Sequence, residues 1–368
     1  MERGRAVVFT GIGQPLSIRE YPLPELEPGA MLLKVTQAGV CGSDLHTVRG
    51  HTSQGAPAGE GRVMGHEGNG VVYRLGAGVS TDSLGQPLRE GDRIVHSAVM
   101  PCYRCRYCVR GEYNWCPSYP SPREAGVHPY FVGTYADYYY LPPHHPVFKV
   151  PDDVPDSALS FMNCALGTVT EGLLRAGVTP DKSVVLQGAG GLGQCATAIA
   201  RHLGAQQVIV MDRQEPRLSL ATAMGADQTI NIDTYTTAED RLARVRELTG
   251  GFGADIVMEL VGNVTLMEEG LAMLASGGTF VQIGANPPDA TASVHPAMLL
   301  RGKRILGSLM YRPAVLPILL DLLGRRRSVF PFDRLVSKQY PLENVNDAFA
   351  ELDWQTRAVD VTRAVLVP

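Results

Sequence analysis

The sequence predicts a mixed α/β protein: a β-rich N-terminal domain followed by a doubly wound parallel sheet. Three observations lead there. Up to about residue 150 the chain is a series of short β-branched and aromatic runs broken by Gly and Pro. From Ser183 onward, apolar runs alternate with helical stretches, the pattern of strands covered by helices on both faces. Where the first of those strands ends, a glycine-rich hexapeptide opens a helix. At 368 residues there is room for about two domains. The expected divisions are 1–165, 166–308 and 309–368, the last returning to the first domain.

In order, the expected strands of the first part are Ala6 to Phe9, Met31 to Ala38, Gly70 to Arg74, Arg93 to Ala98 and Ala136 to Leu141. In the second part Ser183 to Gln187 leads into a helix ending at His202. Gln207 to Met211 is followed by a helix from Glu215 to Met224. Further strands are expected at Gln228 to Ile232, Ala254 to Glu259, Thr279 to Ile283 and Ile305 to Leu309.

Composition excludes several function classes. The chain is 45% hydrophobic with 40 glycines and 26 prolines, a loop-punctuated globular protein rather than a fibrous or disordered one. A net charge of -4 gives no general attraction to nucleic acid or an anionic membrane. No run approaches the roughly 18 apolar residues of a membrane helix, and Met1 to Arg5 leads into a strand with no signal-peptide core. A cytoplasmic protein is expected, in a compartment whose reducing conditions suit free thiolates.

Six of the seven cysteines fall in two metal-ligand patterns. Cys102, Cys105, Cys108 and Cys116 lie within fifteen residues, the spacing of a closed tetrahedral zinc site. The flanking Tyr103, Arg104, Arg106, Tyr107 and Arg110 are wrong for a core segment. They would suit a nucleic-acid-binding zinc knuckle, but no second basic cluster supports that reading. Cys41 and Cys164 stand far apart, with His66 between them. Two thiolates and one imidazole make a three-ligand zinc site with an open position, the catalytic type.

Gly188-Ala189-Gly190-Gly191-Leu192-Gly193 fits the dinucleotide fingerprint, and Asp212 follows nineteen residues after Gly193 at the end of the next strand. Gly188 permits the turn, Gly190 lets the backbone approach a pyrophosphate, and Gly193 lets the helix pack on the sheet. Asp212 would accept hydrogen bonds from ribose hydroxyls and repel a 2'-phosphate, which favours NAD. Arg213, next in the chain, could hold that phosphate, so NADP stays open. Cys195, inside the glycine-loop helix, reads as a small packing residue.

With both zinc patterns and the fingerprint in place, the chain resembles the zinc-containing medium-chain alcohol dehydrogenases over nearly its whole length. The resemblance implies a GroES-like catalytic domain at 1–165, a Rossmann coenzyme domain at 166–308, and a C-terminal return. It implies that Cys41, His66 and Cys164 bind the catalytic zinc and that Cys102, Cys105, Cys108 and Cys116 bind the structural one. Glu67 is similar to the family's conditional zinc ligand and Asp44 to the acid that fixes the histidine ligand. Thr168 matches a threonine beside the nicotinamide, Arg217 a basic residue at the adenosine ribose, and Arg363 an arginine on the pyrophosphate. Gly42 departs from the pattern, since liver-type members carry an arginine there.

The implied chemistry is an alcohol polarised by zinc, hydride transfer to the nicotinamide, and proton exit through Ser43 and the nicotinamide ribose to His46. The implied partner is a small-molecule alcohol or carbonyl compound, with self-association into a homodimer or homotetramer. Retention of Ser43 and His46 argues against the rival class, a non-catalytic redox sensor. His51, His96 and Asn163 are expected near the substrate pocket, where they would suit a hydroxylated substrate. Tyr138 to Tyr140 and His144-His145 read as a strand and its exit loop, and Arg325 to Arg327 as a solvated helix end.

Overall fold

The computed structural model describes residues 2–51, 59–118, 124–287, 289–325, 329–352 and 362–368. The chain divides into two compact units. The first comprises Met1–Cys164, Arg312–Arg327 and Phe332–Pro368; the second comprises Ala165–Tyr311 and Ser328–Pro331.

In the first unit, strand Arg3–Phe9 pairs antiparallel with Ser17–Pro22 on one side and with Arg62–Val63 on the other. A larger sheet runs in the order Lys338–Pro341, Ala364–Val367, Met31–Gly39, Asn69–Leu75, Arg93–His96, Val147–Lys149, and Tyr138–Leu141 also pairs with Met31–Gly39. Two apolar clusters fill this unit. One is built on Val7, Phe9, Leu33, Ile94 and Leu366, the other on Ala6, Val8, Leu32, Phe131 and Ala136. Alternate residues of strand Arg3–Phe9 feed the two clusters, as the two-residue period of a strand dictates.

The second unit holds a six-stranded parallel sheet in the order Gln228–Asn231, Gln207–Asp212, Ser183–Gln187, Ala254–Glu259, Leu274–Gln282, Arg304–Gly307. In chain order this is 3-2-1-4-5-6, the doubly wound order with its reversal point beside Ser183–Gln187. All five residues of that strand are buried, as expected of a central parallel strand covered on both faces. The strand expected from Thr279 begins earlier, at Leu274, because its pairing with Ala254–Glu259 carries an irregularity that the polar Ser276-Gly277-Gly278 stretch concealed. No described helix is long and apolar enough to cross a membrane. Arg325 ends helix Val315–Arg325, exposed and paired with Asp321; Arg326 and Arg327 lie outside the described residues.

Candidate active site

Cys41 precedes the short helix Gly42–Val48, in which Asp44 is the third residue. An acid at that position is favoured beside the helix's free N–H groups. Its Oδ2 accepts from the Cys41 N–H at 3.2 Å. His66 and Glu67 follow Gly65, whose φ of +89° turns the chain before them. Cys164 sits in the π-helical stretch Met162–Leu166, a distortion frequent at functional sites.

These elements bring together one donor atom each from Cys41, His66, Glu67 and Cys164, all within 4.8 Å of one another. His66 Nε2 is 3.3 Å from the Cys164 sulfur, while Nδ1 faces Asp44 Oδ1 at 3.4 Å. The ring is therefore held by a carboxylate on one nitrogen and presented to the donor group by the other. Glu67 is fully buried, and its Oε2 pairs with Nη2 of Arg363. The Arg363 guanidinium also lies 5.5 Å over the Phe161 ring.

The electrostatics follow from this crowding. Hydrogen bonding with Cys164 holds the Cys41 thiol well below its ordinary value, with burial opposing and His66 assisting. The same Cys41–Cys164 contact, added to burial, pushes Cys164 well up. Burial pulls the His66 imidazolium down, but Asp44 and Cys41 outweigh it and raise the group to about 10. Burial raises Glu67 to about 7 despite Arg363. Two sulfurs, an imidazole and a carboxylate sharing a few protons in a buried space fit a zinc ion, whose binding would displace those protons.

The second donor group, Cys102, Cys105, Cys108 and Cys116, also has its sulfurs within 4.8 Å of one another. The Cys102–Cys108 and Cys105–Cys108 sulfurs are 4.0 and 3.5 Å apart, bracketing the roughly 3.8 Å edge of a tetrahedron with Zn–S bonds near 2.3 Å. Backbone N–H groups of Cys102 and Cys108 point at the sulfurs of Cys116 and Cys105. The Arg104 N–H, then that of Cys105, helps bring Cys102 down to about 6. Arg104, Arg106 and Arg110 are exposed around the loop.

Ser43 is exposed and His46 half-buried on the Gly42–Val48 helix, three residues apart and so on one face. Burial, then the neighbouring His51 and Arg49, lowers the His46 pKa. Two residues expected near the substrate have partners within the protein. The amide of Asn163 accepts from the Gly68 N–H at 3.0 Å and donates to the His66 carbonyl at 3.2 Å. His96 is wholly buried against that amide and the Tyr139 ring. The residue sequence reasoning missed is Tyr135, whose hydroxyl donates to Asp44 Oδ2 at 2.6 Å. An aromatic in a β-rich run carries no signal of such a contact.

In the second unit the fingerprint glycines occupy the turn between strand Ser183–Gln187 and helix Gly191–His202. Gly188 has φ +104°, which an L side chain rarely adopts. A Cβ on Gly193 would stand 2.0 Å from the Gly188 carbonyl oxygen, whereas one on Gly190 would meet nothing within 4 Å. A glycine at 190 thus leaves open space in front of the helix N-terminus, where backbone N–H groups suit an anion such as a pyrophosphate. Asp212 ends its strand, its two oxygens accepting from the N–H groups of Ala189 at 2.7 Å and Gln214 at 2.9 Å. Arg213 is exposed and only loosely paired with Asp233, at 4.0 Å. The buried Nε of Arg217 and the buried hydroxyl of Thr168 find no hydrogen-bond partner among the described residues. Leu192 is half-buried in the first turn of the helix and Cys195 fully buried within it.

A doubly wound sheet with a glycine turn, in one chain with a Cys, His, Cys donor group and a four-cysteine loop, defines a zinc-dependent dehydrogenase that uses a nicotinamide dinucleotide. Comparison with known proteins agrees. Residues 27–152 match the alcohol dehydrogenase GroES-like domain and residues 191–325 the zinc-binding dehydrogenase family. The chain is 33% identical over 333 residues to 5-exo-hydroxycamphor dehydrogenase of Pseudomonas putida, covering 89% of this chain and 90% of that one. It is 30% identical over 347 residues to a probable D-xylulose reductase A of Aspergillus terreus, covering 94% of each. An alcohol dehydrogenase from Thermotoga maritima superposes with a TM-score of 0.90 over 100% of both chains at 28% identity. The chain belongs to the zinc-containing medium-chain alcohol dehydrogenase family. It is an oxidoreductase acting on CH–OH groups, with zinc and a nicotinamide dinucleotide as its cofactors.

Proposed function

We propose that this protein interconverts a secondary or polyhydroxylated alcohol and its carbonyl product with NAD. Cys41, His66 and Cys164 hold the catalytic zinc, and Cys102, Cys105, Cys108 and Cys116 the structural one. The observation that carries the reading is the buried donor group of Cys41, His66, Glu67 and Cys164, with Asp44 behind the imidazole. When bound, zinc supplies Lewis acidity toward the alcohol oxygen and the nicotinamide accepts hydride. The chain's own residues do the rest. Asp44 keeps the His66 ring turned toward the donor group. Ser43 and His46 carry the proton away, and the lowered pKa of His46 keeps it an acceptor below neutral pH. Glu67 is a further donor within reach of the metal. Arg363 neutralises it, a role beside the one expected of Arg363 on the pyrophosphate.

Gly188, Gly190, Gly191, Leu192 and Gly193 form the pyrophosphate turn. Asp212 accepts from the adenosine ribose and disfavours a 2'-phosphate, with Arg213 and Arg217 beside it and Thr168 at the nicotinamide. The substrate class follows the relatives, whose names denote a dehydrogenase of a hydroxycamphor, a secondary alcohol, and a reductase of xylulose, a polyhydroxylated ketone whose reduction gives a secondary alcohol. Self-association is proposed through edge strand Arg304–Gly307, near which Leu300, Ile305 and Leu309 are exposed. A reducing, cytoplasmic setting suits seven cysteines of which none is in a disulfide.

The test is reduction of NAD and of NADP by purified protein over a panel of cyclic secondary alcohols, polyols and primary alcohols. Turnover with secondary or polyhydroxylated substrates, and kcat/KM for NAD at least about tenfold above that for NADP, is expected from loss of one charge-assisted contact or its replacement by repulsion. Activity confined to primary alcohols would overturn the substrate class, and a preference for NADP the assignment of Asp212.

A further inference from the structure

Tyr135 is entirely buried in the first unit, with the Phe349 ring edge-on to it at 6.2 Å. Its hydroxyl lies 2.6 Å from Asp44 Oδ2 and 3.2 Å from the Gly39 carbonyl. Both neighbours accept and the phenol has one proton, so the shorter, charged contact takes it. The other oxygen of the same carboxylate faces His66 Nδ1. A continuous line of contacts thus runs from Tyr135 through Asp44 to His66.

The backbone is shaped to hold this line. The Tyr135 N–H donates to the Met64 carbonyl at 3.1 Å and the Thr134 N–H to that of Gly65 at 3.2 Å, which pins Tyr135 alongside the segment leading into His66. At Gly65 a Cβ would stand 2.5 Å from Tyr135 Cδ1, so the close approach requires glycine there. A phenylalanine would fill the same space, and the Gly39 carbonyl alone would satisfy a buried hydroxyl. Neither reading accounts for the short contact to the one carboxylate that faces the histidine.

We propose that Tyr135 is a positioning residue for the metal ligand His66, its hydroxyl locking the Asp44 carboxylate so that Oδ1 meets Nδ1 and Nε2 stays turned to the metal. The proposal rests on the reading of Cys41, His66 and Cys164 as zinc ligands. Without the hydroxyl, Asp44 Oδ2 keeps, among the described residues, the longer contact from the Cys41 N–H. Loss of an outer partner of this kind lowers metal affinity by roughly 10- to 100-fold.

The experiment follows zinc release from the full-length protein to a chelator, with the zinc of the Cys102–Cys116 lobe as internal reference, in wild type, Tyr135→Phe, Asp44→Asn and the double variant. Two zincs in wild type, with one leaving Tyr135→Phe at least about tenfold more readily while the lobe zinc is unmoved, is the expected result. The hydroxyl effect should vanish in the Asp44→Asn background, as it must if Tyr135 acts through Asp44. Cobalt(II) exchanged into the releasable site should show shifted visible bands in Tyr135→Phe. If that variant folds poorly, 3-fluorotyrosine at position 135 should shift the same bands without deleting the hydroxyl. Release and cobalt bands identical to wild type, or an equal effect with and without Asp44, would overturn the proposal. A wild type holding only the lobe zinc would instead sink the reading of the catalytic ligands.

Discussion

The side-chain amide of Asn163 donates to the backbone carbonyl of His66, tying the segment that carries one sulfur donor to the segment that carries the imidazole. The same amide accepts from the Gly68 N–H, so it brackets Glu67 on both sides. Asn163→Ala would take this partner from the buried Gly68 N–H and the partly buried His66 carbonyl, at about 1–3 kcal/mol each. The thermal midpoint should fall by about 5 °C or more. Calorimetry on Asn163→Ala and Asn163→Asp checks this, the aspartate variant falling at least as far because it sets a buried carboxylate against the His66 carbonyl.

Gly190 and Gly193 should respond differently to alanine. Gly193→Ala forces a methyl onto the Gly188 carbonyl and should destabilise the second unit. Gly190→Ala meets no protein atom, so its thermal midpoint should stay within about 1 °C of wild type, a surface-like change. Its KM for NAD should nonetheless rise markedly, because the methyl occupies the space of the pyrophosphate. A melting curve and an NAD titration on each variant separate the two effects.

Turnover should depend on His46 through its protonation. With its pKa held below the ordinary value by burial, then by His51 and Arg49, His46 stays neutral and able to accept a proton to lower pH than a free imidazole. His46→Gln should lower kcat for alcohol oxidation by roughly 100-fold or more near neutral pH, with zinc content unchanged. A pH profile of kcat identical to wild type would remove His46 from the proton path.

His145 makes stability sensitive to acid. Burial, only partly offset by the Ser97 carbonyl at 2.7 Å, brings its pKa down to about 4. The unfolded chain takes up a proton near pH 6.5 that the folded chain refuses until about 4. Stability is therefore fully present above pH 6.5 and falls as the pH drops toward 4, by about 3 kcal/mol across the window. Thermal midpoints of wild type and His145→Gln between pH 7 and 4.5 should show a shallower fall in the variant.

The parts legible in the sequence are those written locally. The four lobe cysteines lie in one short loop, and the glycine turn with Asp212 falls within one strand-helix-strand unit. Cys41, His66 and Cys164 are singled out by the resemblance to the family, and the fold gathers their donor atoms with that of Glu67. The rest depends on distant pairing. Strand Ser17–Pro22 hides behind charged and proline residues, and Lys338–Pro341 and Ala364–Val367 become strands only by pairing with each other and, through the latter, with Met31–Gly39. Tyr135 reaches Asp44 across 91 positions, and Asn163 reaches Gly68 across 95. No local pattern marks the Tyr135 contact, and Asn163, expected near the substrate pocket, shows its bonds to Gly68 and His66 only in the folded chain.

The most direct test of the account is metal content by elemental analysis of purified wild type, Cys164→Ala and Cys105→Ala. Wild type should hold two zincs per chain, with one lost from Cys164→Ala together with all alcohol-dependent NAD reduction. One zinc in wild type, unchanged in Cys164→Ala, would contradict it and leave the lobe as the protein's metal centre.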